Sequence, residues 1–465
     1  MEARLVDAGS TPGAPAPRKA AVIGGGLSGL AAAWRLREAG CEVVVLERTA
    51  EAGGRLRGER IDGFEIESSL QVLRSNDAHL PGWIRELGLA DELLPMRPVL
   101  SAGLHRGVIA PTRWDSVLGV TRTGGVGLRA GLRLRRLPRL MRRYGPLLDR
   151  DAPERAADWD FRSVADFARL YFGPSVRDYF MGPIAATAGR AGTQDTSRVA
   201  FLLAWLAEEE CRFGVARRGL AELPRRAGER LGMQPECAVE RVAPRPGGGY
   251  VVRSARGETL EVDVVVVATG PQEARRIAGS LLTAAEHDFF EAVGMGPECQ
   301  LVVAVDRPPT GAPQYVRVSE AEGEIVDALL AEPGVADGRA QLGSGLVTLV
   351  GAPAFCEASL GTPDEVVEKE LVATLERLLP SVTGTICHAK LYRRSEGLPR
   401  FEVGAYRALA RFRRVQVDRR AAGRRVYFAG DYLSGASADQ AVGSGFRAAD
   451  EALADVGVSA GYAQR

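Results

Sequence analysis

An α/β fold is predicted by three observations near the start of the chain. Residues 20–23 are a short apolar run that reads as a buried parallel strand. Gly24, Gly26 and Gly29 follow in G-x-G-x-x-G register and open a helix over residues 27–38. Residues 42–46 read as a second strand, with Glu47 at its tip. Strand, glycine turn, helix, strand and acid in that order make a Rossmann-like dinucleotide-binding unit.

Each part has a physical task. The first glycine allows the tight turn, the second lets backbone approach a pyrophosphate, and the third lets helix pack on strand. The helix N-terminus turns free N–H groups towards the phosphates. Glu47 stands where a carboxylate can accept both ribose hydroxyls. Gly53-Gly54-Arg55 follows after a short gap and supplies a second glycine pair with a cation beside it.

The chain has 465 residues, enough for two or three domains with full cores. Its net charge of +1 gives no bulk field that would recruit nucleic acid. The cysteines 41, 211, 237, 299, 356 and 387 are scattered, without a C-x-x-C, so no structural metal is expected. A reducing, cytoplasmic setting follows as the default. Residues 1–19 read as a disordered leader and 457–465 as a tail. No apolar run is long enough to span a membrane.

Further along, residues 56–75 read as strand pieces with a turn at Asp62-Gly63, and 77–94 as a helix with a glycine break. Residues 126–148 interleave leucines with arginines at helical spacing. That pattern fits either a solvated cap of the second domain, interrupted near Pro138, or a basic face for anionic lipid or a partner. The cap is the preferred expectation, with at most weak membrane contact. Residues 161–214 read as helices, one of them entered through Ser163 as N-cap with Asp166 three residues on. Strands return over 237–270, where 263–268 form a fully buried run. Residues 296–400 read as a mixed sheet with one helix at 363–379. The last segment has a strand from Val426, then Gly430-Asp431, then a helix over 440–453.

Residues 24–55 and 425–453 together resemble the flavin amine oxidase, protoporphyrinogen oxidase and phytoene desaturase superfamily, and the likeness extends over nearly all the chain after residue 19. The porphyrinogen (protoporphyrinogen or coproporphyrinogen) oxidases fit best. The resemblance implies noncovalent FAD in a two-dinucleotide-binding domain built from residues 20–76, 215–295 and 401–456. This domain would be interleaved with an α+β substrate-binding domain from 77–214 and 296–400. It implies that Gly24, Gly26, Leu27, Ser28, Gly29, Glu47, Arg48, Gly53, Gly54 and Arg55 hold the ADP half. Val239 would pair its backbone with adenine. Gly430, Asp431, Gln440, Ala441 and Val442 would hold the ribityl chain and flavin, with the Val442 N–H aimed at the ring and Tyr432 as a flavin-adjacent wall.

There are departures. Ser69 and Leu70 stand where the family often has Gly-Pro, and Arg394 stands where a tryptophan is usual. Residues 297–305 lack the lysine that many amine oxidases place near flavin N5. The implied activity is dehydrogenation of a bulky, partly apolar small molecule by hydride transfer to flavin N5, with O2 or a quinone as acceptor. The alternatives are an amine oxidase or a polyene- or squalene-type desaturase, and a flavoprotein scaffold without catalysis.

Overall fold

The computed structural model describes residues 18–70, 72–94, 97–114, 119, 121, 125–209, 211–309, 314–332 and 339–457. The expected leader and tail lie outside these residues, except for Arg18, Lys19 and Gly457, and Lys19 already belongs to the first strand.

The glycine turn grows out of an all-parallel sheet with strand order Val426–Phe428, Val264–Val267, Lys19–Ile23, Glu42–Leu46. Val264 and Val266 enter one core cluster while Val265 and Val267 enter another, and Ala20 and Val22 part from Ala21 and Ile23 in the same way. Both faces of the sheet are covered, so its central strands are apolar throughout instead of alternating. Each fully buried valine contributes on the order of 1.5–3 kcal/mol of transfer free energy.

On one face, helices Leu27–Glu38 and Ala438–Asp455 lie side by side. A Cβ at Gly445 would stand 2.1 Å from the Ser28 carbonyl oxygen, so only glycine permits this approach. On the other face lies an antiparallel sheet of Val239–Pro244, Tyr250–Ser254 and Thr259–Val262.

A seven-stranded mixed sheet runs in the order Ile386–Pro399, Met295–Val305, Gly345–Gly351, Val326–Glu332, Tyr315–Arg317, Ser101–His105, Val108–Pro111. Only the pairing of Tyr315–Arg317 with Ser101–His105 is parallel. Helix Asp364–Leu378 covers one face through Val367, Leu371 and Leu375. Phe64 and Ile66, from the hairpin Gly58–Ile61/Phe64–Glu67, pack on the other. A separate helical cluster centres on Phe167, Phe172, Phe180 and Phe201. The Ser163 side chain caps one of its helices, Val164–Tyr171, by accepting the Asp166 amide, as expected.

Four expectations need correction. The basic segment is two helices, Leu128–Leu134 and Leu137–Tyr144, broken at Arg135-Arg136. Pro138 sits in the first turn of the second helix, where a missing N–H is tolerated. The sheet region carries a second helix, Pro353–Ala358. The 17-residue helix Ala405–Ala421 was not anticipated. Finally, the last helix begins at Ala438, two residues before the expected start, because the Ser437 side chain accepts the Gln440 amide and caps it there.

Candidate functional site

A cavity of about 980 Å³ reaches from the glycine turn, past Arg55 and Asp431, to the wall formed by the seven-stranded sheet and the helical cluster. At its first end Gly24 has φ +110°, and a Cβ there would meet the Ala268 carbonyl oxygen at 2.7 Å. A Cβ on Gly29 would lie 1.9 Å from the Gly24 carbonyl oxygen, so this glycine serves helix–strand packing. A Cβ on Gly26 would meet nothing within 4 Å: here the backbone is bare to the cavity. Helix Leu27–Glu38 has no side-chain cap, which leaves its first-turn amides without protein acceptors. The second glycine pair docks on the first, with the Gly53 amide donating to the Gly25 carbonyl at 2.8 Å.

Glu47 is buried at the rim. Its Oε2 accepts the Gly25 amide at 2.7 Å, and its Oε1 accepts the amide and hydroxyl of Thr49 at 2.9 and 2.8 Å. Each oxygen retains acceptor capacity. The carboxylate therefore braces the turn and still faces the cavity. Val239 lines the same end and, through its carbonyl, accepts from Arg276 at 2.8 Å. These features, a bare glycine cradle, uncapped helix amides and a rim carboxylate, fit an adenosine diphosphate moiety.

In the middle, Arg55 forms a 2.8 Å ion pair with Asp431 and donates to the Gly397 carbonyl at 2.5 Å. Gly430 donates its amide to Ser444 at 3.0 Å, which ties this turn to the last helix. That helix presents Ser437, Ala438 and Ala441 to the cavity, and the amides of Ala438 and Asp439 have no ladder partner. Its start is held by its own second residue: the Asp439 carboxylate accepts the amides of Ala78, His79 and Leu80 at 3.2, 2.8 and 2.8 Å. Tyr432 lines the cavity and also packs against Phe290; its buried hydroxyl has no protein partner. Burial first, and then Asp431, push that phenol above its ordinary pKa.

The far wall is charged. Arg190 pairs with Asp327 at 2.7 Å and donates to Cys356 Sγ at 3.3 Å. Arg394 pairs with Glu298 at 3.0 Å and donates to the carbonyls of Arg55 and Ser68, both at 2.8 Å. Arg74 and Arg317 share one oxygen of Glu208, at 3.3 and 2.8 Å. Burial alone would raise the Glu208 carboxyl, but Arg317 and Arg74 together hold it below its usual range. Burial raises the Asp327 carboxyl to about 6 against the pull of Arg190.

Of the residues expected from sequence, Gly29, Gln440 and Val442 do not line the cavity, while the others do. Val442 is fully buried among core residues, and its amide lies within the helix ladder because the helix starts at Ala438. The amides left free at the start of this helix are those of Ala438 and Asp439. Arg74, Arg190, Glu298, Arg317 and Asp327 were missed. They stand on separate elements, and no spacing signal joins them. Arg394 was noticed only as a departure. Among the described residues there is no cluster of metal-ligating side chains, and no helix is long and apolar enough to cross a membrane.

Fold and site together define an FAD-dependent oxidoreductase. The chain belongs to the flavin containing amine oxidoreductase family, whose profile matches residues 27–453. It is 29% identical over 196 residues to the coproporphyrinogen III oxidase of Propionibacterium freudenreichii subsp. freudenreichii, a match covering 39% of this chain and 33% of that protein. It is 28% identical over 176 residues to the mitochondrial protoporphyrinogen oxidase of Nicotiana tabacum, covering 37% and 33%. The matched part thus spans about a third of the length of these relatives. Among solved structures, cyclohexylamine oxidase from Brevibacterium oxydans superposes with a TM-score of 0.72 at 18% identity, covering 95% of this chain and all of that one. A redesigned putrescine oxidase gives a TM-score of 0.74 at 20% identity, covering 94% and 99%. At these identities the likeness is one of fold.

Proposed function

We propose that the protein is a porphyrinogen-oxidase-like enzyme that dehydrogenates a bulky, partly apolar small molecule bearing acidic groups, with O2 or a quinone as electron acceptor. FAD, when bound, would supply the hydride-accepting redox chemistry. The chain's own groups bind and orient. Gly24, Gly26, Glu47 and Arg55 hold the cofactor, and the far wall holds the substrate. The observation that carries this reading is the composition of that wall. Arg74, Arg190, Arg317 and Arg394 stand in it, four guanidinium groups paired with the three carboxylates of Glu208, Asp327 and Glu298, with Leu70, Val72 and Val350 supplying apolar surface. A surplus of guanidinium groups suits carboxylates, and the apolar residues suit the body of the substrate and exclude water. An amine-oxidase reading lacks its lysine. Strand Met295–Val305 has none, and Lys390 pairs with Glu59 at 3.7 Å and does not line the cavity.

The test is anaerobic mixing of the holoenzyme with porphyrinogens, amines and polyenes while flavin absorbance is followed. Bleaching by a porphyrinogen is expected. Bleaching by amines alone would overturn the substrate class, and bleaching by none of the three would favour a scaffold. FAD is expected to be noncovalent, since residues 391–429 contain no cysteine to attach it. Acid precipitation should leave the yellow chromophore in the supernatant, and colour in the pellet would refute this.

Asp327 makes a further prediction. Its carboxyl, raised to about 6, is neutral below that pH and adds a negative charge to the wall above it. For an acid-bearing substrate, KM should therefore rise as pH climbs through about 6. Asp327→Asn should remove the inflection. A KM that falls over the same range would point to a cationic substrate instead.

A further inference from the structure

Residues 125–148 carry seven arginines and no acidic residue. The two helices of this segment turn Leu134, Leu137, Met141 and Tyr144 into the helical core. All seven arginines face solvent. Arg133 and Arg136 reach only backbone carbonyls, those of Phe172 and Tyr171, at 3.5 and 3.4 Å. Among the described residues none of the seven has an acidic partner. Leu128 and Leu132, four residues apart and so on one helix face, are 85% and 61% exposed. Leu170, in the neighbouring helix whose end Arg133 and Arg136 touch, is 51% exposed; the exposed ion pair Arg169–Asp166 stands beside it.

A merely solvated cap explains the arginines but not the leucines. Cations left unpaired at such density repel one another, and exposed leucines gain nothing from water. A second copy of the chain would bring like charges face to face across a two-fold axis. Nucleic acid would account for the arginines, but the outer surface of these two helices offers leucines where stacking would need aromatics. Apolar side chains ringed by arginines match the boundary between lipid headgroups and acyl chains. We infer that helices Leu128–Leu134 and Leu137–Tyr144 form a docking surface for an anionic lipid bilayer, with the leucines entering the interface and the arginines meeting headgroup phosphates. This contact is stronger than the sequence alone led us to expect. It is independent of the substrate, because the surface lies outside the cavity lining.

The test is flotation of the FAD-loaded full chain with vesicles of phosphatidylcholine alone, or of phosphatidylcholine with phosphatidylglycerol. Binding is expected only to the vesicles containing phosphatidylglycerol, and it should fall steeply with salt. Replacing Arg135, Arg136 and Arg139 together with glutamine should weaken binding on the order of 100-fold, since each arginine near an anionic surface contributes about fivefold. Leu128→Ser with Leu132→Ser should also release the protein while leaving its retention on heparin unchanged. Both variants should keep the parent's flavin spectrum and melting temperature, which separates lost docking from lost folding. No flotation with phosphatidylglycerol at low salt would overturn the inference. So would triple-arginine or double-leucine variants that float like the parent, or retention on heparin without any vesicle binding.

Discussion

Glu47→Ala is expected to raise the dissociation constant for FAD by roughly two to four orders of magnitude. Two charge-assisted bonds to ribose hydroxyls, each about 1.5–3 kcal/mol, account for that range. The structure adds a second reason. The same carboxylate accepts the amides of Gly25 and Thr49, so its removal also strips the glycine turn of its brace. The parallel sheet does not depend on this side chain, so circular dichroism should be unchanged when FAD is in excess. Titration of apoprotein with FAD is the measurement. An affinity equal to the parent's would refute the assignment of Glu47 to the cofactor.

Ala438→Pro should leave FAD bound, slow its reduction by substrate about 100- to 1000-fold, and lower its potential. The range is that for deleting one hydrogen-bond donor to developing negative charge. The substitution is local by design. Ala438 is the first residue of its helix, where proline is tolerated and no ladder bond is lost. Ser437 has φ −144° and ψ 160°, the extended backbone favoured before proline. The amide, and little else, is removed. Rapid mixing under anaerobic conditions reads the rate, and redox titration reads the potential independently of any substrate. Reduction as fast as the parent's, at an unshifted potential, would mean that this helix end does not face the redox-active ring.

What was legible in the chain was local. Gly24 to Glu47 announces itself because strand, turn, helix and acid are neighbours in sequence, and each residue type has one geometric use. The last helix starts at Ala438, two residues before the expected Gln440, because the Ser437 side chain caps it there. Helix Ala405–Ala421 escaped notice because arginines crowd it; its buried Tyr406, Leu409 and Phe412 stand three apart, and that spacing was the available signal. The charged wall had no such signal. Arg74, Arg190, Arg317 and Arg394 come from elements far apart in the chain, and on their own they look like any surface arginine. Only tertiary pairing with Glu208, Asp327 and Glu298 makes them a site.

The order of strands in the parallel sheet bears on how the protein is made. Val426–Phe428 forms one edge, and the residue that pairs with Arg55 comes directly after it, at 431. The glycine turn is synthesised well before the partner of Arg55 and the helix that closes the middle of the cavity. Between those two points of translation the nascent chain therefore holds half a cradle. The sheet lacks one edge, the Gly430 turn does not exist, and Arg55 has no carboxylate to meet. Complete capture of the cofactor waits for this later segment, and a ribosome that stalls before residue 431 yields a polypeptide without the carboxylate that meets Arg55.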